Sequence, residues 1–127
     1  MTDGQYLAAQ KERLKKSGFL TAKVGSDSMK PWLLKGEDIV VALKPVEELR
    51  MFDPVVFWNG KDLIVHLFLR FNRFKDANGE LMILTQGLDI FIPDQSVSAS
   101  AILGVVQKKK PWWLGPYMLW VRWRGHR

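Results

Sequence analysis

The sequence predicts a mainly β, compact antiparallel fold, with a short helix ahead of it and a basic, aromatic stretch behind it. Three observations carry that prediction. Six short runs rich in β-branched and aromatic residues lie between residues 20 and 107. Two turn dipeptides, Asn59-Gly60 and Asn78-Gly79, punctuate them as hairpins would. The first 18 residues instead show helical spacing. At 127 residues, 47% hydrophobic and 25% charged, the chain has the proportions of one globular domain with a core of its own.

The helix is predicted over 3–17. Asp3 serves as N-cap, Tyr6, Leu7 and Leu14 form a thin apolar stripe, and Gly18 is the stop. The predicted strands are 20–24, 38–43, 54–58, 63–71, 81–85 and 102–107. No internal repeat or low-complexity linker is visible, and the one break in composition is Lys108-Lys109-Lys110-Pro111. The organisation is therefore a helical segment at 1–19, a β domain at 20–107 and a Trp-rich tail at 108–127.

Charge separates body from tail. Residues 1–107 carry 13 basic and 13 acidic side chains; residues 108–127 carry six basic ones and no acid, which is the whole net charge of +6. Four of the six tryptophans lie in the same tail. There are no cysteines, which excludes disulfides and thiolate zinc sites, and two histidines argue against a His-rich metal centre. No metal or cofactor is expected. The N-terminus has no apolar stretch of the secretory kind. The apolar run at 112–121 is ten residues long and interrupted by Gly115 and Pro116, whereas a span needs about 20. The expectation is a chain that crosses no membrane, cytoplasmic or peripheral to a membrane surface.

Three separated segments converge on one chemistry. The first runs over residues 24–41. It contains Ser28-Met29-Lys30-Pro31, preceded by Val24 and Ser26 and followed by Leu33, Gly36-Glu37, Ile39 and Val41. On local grounds alone Ser28 reads as a serine capping a helical turn. The second is Phe52-Asp53-Pro54-Val55-Val56-Phe57-Trp58 leading through Asn59-Gly60 to Ile64-Val65-His66-Leu67. His66 there shares a strand face with Ile64, Phe68 and Arg70, and Val65 and Leu67 face the other way. A histidine in this place is either a core residue satisfied by a backbone carbonyl or a general base. Serine needs such a base to become a nucleophile, and an ordinary imidazole pKa of about 6.5 suits the task. The third is Leu84-Thr85-Gln86-Gly87-Leu88-Asp89, ending at Pro93-Asp94, then Ile102-Leu103-Gly104-Val105-Val106.

Together these segments resemble the signal peptidase I and LexA-like serine peptidases, over about residues 20–107. The Val65-His66 pair resembles the His-base members, the archaeal, endoplasmic-reticulum and SipW-like signal peptidases. The resemblance implies that Ser28 is the nucleophile, His66 its base and Asp94 the third catalytic acid. It also implies an oxyanion hole formed by the Ser28 N–H and the Ser26 hydroxyl, and a peptide or protein substrate bound as an extended strand. Three departures flank these positions. Phe52 replaces the family's Gly, Leu67 its Arg, and Leu88 its Asp, so that Asp89, one place later, is an alternative acid. LexA-like self-cleavage does not fit, since neither an Ala-Gly nor a Cys-Gly dipeptide precedes Ser28.

The expected function is thus a serine endopeptidase whose activity falls below about pH 6.5 as His66 protonates. The alternative is a non-catalytic peptide- or membrane-binding module of the same fold. The tail leaves three readings open: peripheral contact with a membrane, contact with the body or a second copy, and, least weighted, nucleic-acid binding.

Overall fold

A computed structural model describes residues 3–72, 79–88 and 95–125. The chain opens with helix α1 (Asp3–Ser17), followed by β1 (Phe19–Lys23), β2 (Asp38–Ala42), β3 (Pro54–Trp58), β4 (Leu63–Phe71), β5 (Met82–Gln86), β6 (Gln95–Ser98) and β7 (Ile102–Val106). Helix α2 (Leu114–Gly125) closes it. The seven strands form one sheet in the order β1-β2-β7-β3-β4-β5-β6, every neighbouring pair antiparallel.

The predicted mainly β, antiparallel class holds, and the strand runs of the sequence account for most of it. β3, β4 and β7 occupy the middle of the sheet and are apolar on both faces, so they read as continuous runs of Val, Leu, Ile and Phe. Alternate residues then feed two cores. One gathers Val56, Val65, Leu67 and Leu103 under Leu14 of α1 and Leu114 and Met118 of α2. The other gathers Val55, Phe57, Ile64, Phe68 and Val105. The register pairs His66 with Val55 and Val65 with Val56, which puts His66 on the second face, with Ile64 and Phe68, as its strand position requires. β7 approaches β2 so closely that a Cβ on Gly104 would lie 2.2 Å from the Ala42 carbonyl oxygen, and only glycine permits that pairing.

The N-terminal helix lies where the sequence puts it. Tyr6 and Leu7 pack against the first core, and the Tyr6 ring meets Trp58 at 4.2 Å between centroids. Two elements differ from expectation. β6 was not predicted, because Gln-Ser-Val-Ser offers one apolar residue; it pairs with β5 from Thr85↔Gln95 to Met82↔Ser98. The tail, for which contact with the body was one of the open readings, forms a helix over residues 114–125 that drives Leu114 and Met118 fully into the first core. Of the two predicted turn dipeptides, Asn59-Gly60 opens the four-residue β3–β4 loop. There the Asn59 side chain accepts from the N–H groups of Lys61 and Asp62, and Gly60 takes φ 97°. Asn78 lies outside the described residues.

Candidate active site

The loop between β1 and β2 is what carries Ser26 and Ser28 to the sheet. Val24 donates its N–H to the Glu37 carbonyl, and Gly36 donates to the Val24 carbonyl, closing the loop on itself. Gly25 donates to the Leu63 carbonyl at 3.0 Å, fastening the loop to the start of β4. A Cβ at Gly25 would fall 2.6 Å from Asp62 Cβ and 2.7 Å from the Leu63 carbonyl oxygen, so this contact requires glycine. Beyond it, Met29, Trp32 and Leu33 are buried and hold the following turn in the core. The result is a half-buried pair of serine hydroxyls beside the middle of β4.

Those hydroxyls form a short relay. The Ser26 and Ser28 Oγ atoms lie 2.9 Å apart, the Ser28 N–H donates to Ser26 Oγ at 3.4 Å, and the Ser28 hydroxyl donates to the Val65 carbonyl at 3.4 Å. With the Ser28 proton directed at that carbonyl, Ser26 is the donor in the Oγ–Oγ contact. Ser28 is therefore not the cap of its own turn; its side chain is turned to Ser26 and to β4.

His66 follows directly after Val65 and is buried. Its environment is apolar: Phe57 meets the ring edge-on at 5.5 Å between centroids. Among the described residues no charged group partners the ring, and burial pushes the imidazole down to about 4, so the ring is neutral at neutral pH. Desolvation penalises the imidazolium, so the ring lies below the ordinary value on which the expected acid limb near pH 6.5 was based.

Which ring nitrogen carries the proton is set by Thr85, a fully buried residue of β5. His66 Nδ1 is 3.3 Å from Thr85 Oγ1, and Thr85 Oγ1 donates its own proton to the Gln95 carbonyl at 3.2 Å. A hydroxyl has one proton, so toward the imidazole Thr85 acts as acceptor. Nδ1 is then protonated and Nε2 keeps its lone pair.

Nε2 and Ser28 both approach Gly87. A Cβ at Gly87 would lie 3.5 Å from His66 Nε2, 3.2 Å from Ser28 Cβ and 2.8 Å from the Ser28 carbonyl oxygen. The next residue, Leu88, donates its N–H to that same Ser28 carbonyl at 2.7 Å, locking the Ser28 backbone against the end of β5. The space left is a pocket of about 290 Å³ lined by Ser26, Ser28, Phe57, Asn59, Ile64, His66, Gly87 and Gln95. Nucleophile and base candidates 38 positions apart in the chain thus share one cleft. They do so without a hydrogen bond between them in this arrangement.

The remaining site candidates divide cleanly. Asp94 and its alternative, Asp89, both lie outside the described residues. The partner of Nδ1 that is described is Thr85, which the sequence reading passed over, as it did Gly87. The signal for both was present in Thr85-Gln86-Gly87, but a neutral hydroxyl and a glycine advertise no chemistry of their own. The three departures are each accounted for locally. Phe52 is the one non-glycine residue at positive φ among those described, at 71°, in a position where glycine would be unstrained. Leu67 is fully buried and Leu88 nearly so, both in the core that α2 covers, where Arg or Asp would be an unpaired buried charge.

Helix α2 also reaches the rim of the site. The Tyr117 hydroxyl donates to the Leu88 carbonyl at 3.0 Å, and Arg122 Nη1 donates to Gln86 Oε1 at 3.1 Å. These two bonds flank Gly87 on either side.

Comparison with protein-family models, with curated proteins and with solved structures gives no match. The functional reading accordingly rests on the residues and their geometry.

Proposed function

We propose that this chain is a serine endopeptidase of the signal peptidase I and LexA-like type, cleaving a peptide bound in extended form. The observation that carries the reading is the pocket in which Ser28 and the unprotonated Nε2 of His66 both face Gly87. Rotation of the Ser28 side chain away from the Val65 carbonyl directs its hydroxyl at Nε2. The imidazole takes the proton as Oγ attacks the scissile carbonyl carbon. Negative charge develops on the carbonyl oxygen. The Ser28 N–H and the Ser26 hydroxyl are the donors available for it, and each such donor is worth roughly 3 kcal/mol to a transition state. Nε2 then returns the proton to the departing amine. Water, deprotonated in the same way, releases the acyl group from Ser28. Thr85 holds the ring in the tautomer this cycle needs, and Asp94 keeps the role of catalytic acid that the resemblance gives it.

The test is covalent labelling by a serine-acylating probe. Wild-type protein is expected to form a stoichiometric adduct, located by mass spectrometry on Ser28. Ser28→Ala and His66→Ala should form none. Absence of labelling of the folded wild type between about pH 6 and 9 would leave the non-catalytic binding module in its place.

A further inference from the structure

The outer face of α2 is an exposed apolar stripe set among cations. Its inner face is already used: Leu114 and Met118 are buried, with Tyr117 beside them. Pro116, Leu119, Trp120 and Trp123 follow at spacings of three, one and three, which places them along one side of the helix, and all are exposed. Leu119 is 58% exposed and Trp123 57%, while Trp112, just ahead of the helix, is 87% exposed. Large apolar side chains in water at that density require a reason. The sequence there is one-sided in charge: residues 108–127 carry six basic side chains and no acid, and while Lys108 pairs with Glu37 and Arg122 donates to Gln86, Lys109 and Lys110 are exposed just ahead of Trp112.

We infer that this face docks on an anionic phospholipid surface, with Trp112, Leu119, Trp120 and Trp123 entering the headgroup layer and the exposed Lys109 and Lys110 meeting the lipid phosphates. Tryptophan favours that layer because its ring is apolar and its N–H polar. Basic residues are drawn by the negative surface potential. The helix lies on the surface: at 12 residues it is too short to cross, and among the described residues no helix is long and apolar enough to do so. A second copy of the chain fits less well, since a symmetric contact would bring together two segments that each carry six basic side chains and no acid. Nucleic acid fits less well too, since a convex row of indoles on a helix provides no groove to track a backbone. The helix is tied to Gln86 and Leu88 on either side of Gly87, which fixes its docking face relative to the end of β5. The inference itself is independent of whether Ser28 forms an acyl-enzyme.

Full-length protein is mixed with vesicles of phosphatidylcholine containing phosphatidylglycerol, and with vesicles of phosphatidylcholine alone, and separated by flotation. Binding to the anionic vesicles is expected to be at least about tenfold tighter, and to weaken with salt. Brominated acyl chains should quench tryptophan emission in the bound wild type, a readout that needs no variant. The variant Trp112→Ser/Trp120→Ser/Trp123→Ser should lose flotation while keeping its circular dichroism, and Ser28→Ala should float like the wild type. Failure of the wild type to float, equal flotation of the folded triple variant, or floated protein with unquenched tryptophan would each overturn the inference. So would binding to DNA in preference to anionic vesicles, or a concentration-dependent dimer that buries the three indoles.

Discussion

Lowering the pH should weaken the fold through His66, by an amount that its burial sets. The unfolded chain presents an ordinary imidazole with pKa about 6.5, and the folded chain one pushed down to about 4. A depressed folded value means that the unfolded state binds the proton first as pH falls. The contribution to stability is fully present above about pH 6.5, declines through the window between the two values, and is gone once the pH has dropped through the folded one. Two-state linkage with those values gives a loss of about 2 kcal/mol between pH 7.5 and 5, and about 3 kcal/mol by pH 4. The residue is buried, so solvent screening does not shrink the figure appreciably. Urea denaturation of wild type and His66→Gln at pH 7.5, 6 and 5 isolates the term from the carboxylates, which titrate in both proteins. The gap between the two proteins should narrow by about 2 kcal/mol over that range. An NMR titration of the His66 ring, assigned with His126→Gln, should show a midpoint near 4. A constant gap together with a midpoint near 6.5 would refute the claim that this imidazole is held dry and neutral.

Two further outcomes follow from particular contacts. Thr85→Val keeps the shape of the side chain but removes the acceptor of the Nδ1 proton and the donor to the Gln95 carbonyl. It should cost about 2 kcal/mol in urea denaturation and slow acylation of Ser28 about tenfold or more; unaltered acylation in Thr85→Val, with loss in Asp94→Asn, would move the orienting role to the carboxylate. At Phe52 the usual ranking of small residues should invert. Phe52→Gly relieves a left-handed backbone that Phe52→Ala retains, so the glycine variant should be more stable by about 1 kcal/mol in urea denaturation, and an alanine variant of equal or greater stability would show that φ 71° carries no strain there.

What the sequence made legible follows from burial. β3, β7 and most of β4 are covered on both faces, so their residues are mostly apolar, and their runs were visible with nearly correct ends. β6 belongs to the edge of the sheet and buries Val97 alone; its pairing is supplied by β5 rather than by its own composition. In α2, Gly115-Pro116 read as an interruption. Both fall in the first helical turn, where the missing N–H of proline deprives no carbonyl of a partner. Ser28 and His66 stood out because a nucleophile and a base are distinctive residue types in a recurring context. Thr85 did not, because its part depends on where its single proton goes, which only the position of the Gln95 carbonyl determines.

The departures at Phe52, Leu67 and Leu88 bear on activity less than their closeness to the site suggests. Leu67 and Leu88 belong to the core capped by Leu114 and Met118, so apolar side chains at both positions are what a C-terminal helix packed there demands. Phe52 keeps the backbone conformation that a glycine would adopt. None of the three removes a proton donor or acceptor from the pocket. On the proposed reading, competence turns on the Ser28 hydroxyl, which rests on the Val65 carbonyl. At 3.4 Å that hydrogen bond is at the long end of the range and is worth under about 1 kcal/mol. The alternative acceptor on the proposed reading is Nε2 of the buried His66, which lines the same pocket. Engaging the imidazole begins with releasing this long contact, while Leu88 holds the Ser28 backbone through the Ser28 carbonyl. A peptide carbonyl entering the pocket and engaging the Ser26 hydroxyl would remove that donor from Ser28 Oγ and favour that release, so that substrate itself would complete the pair.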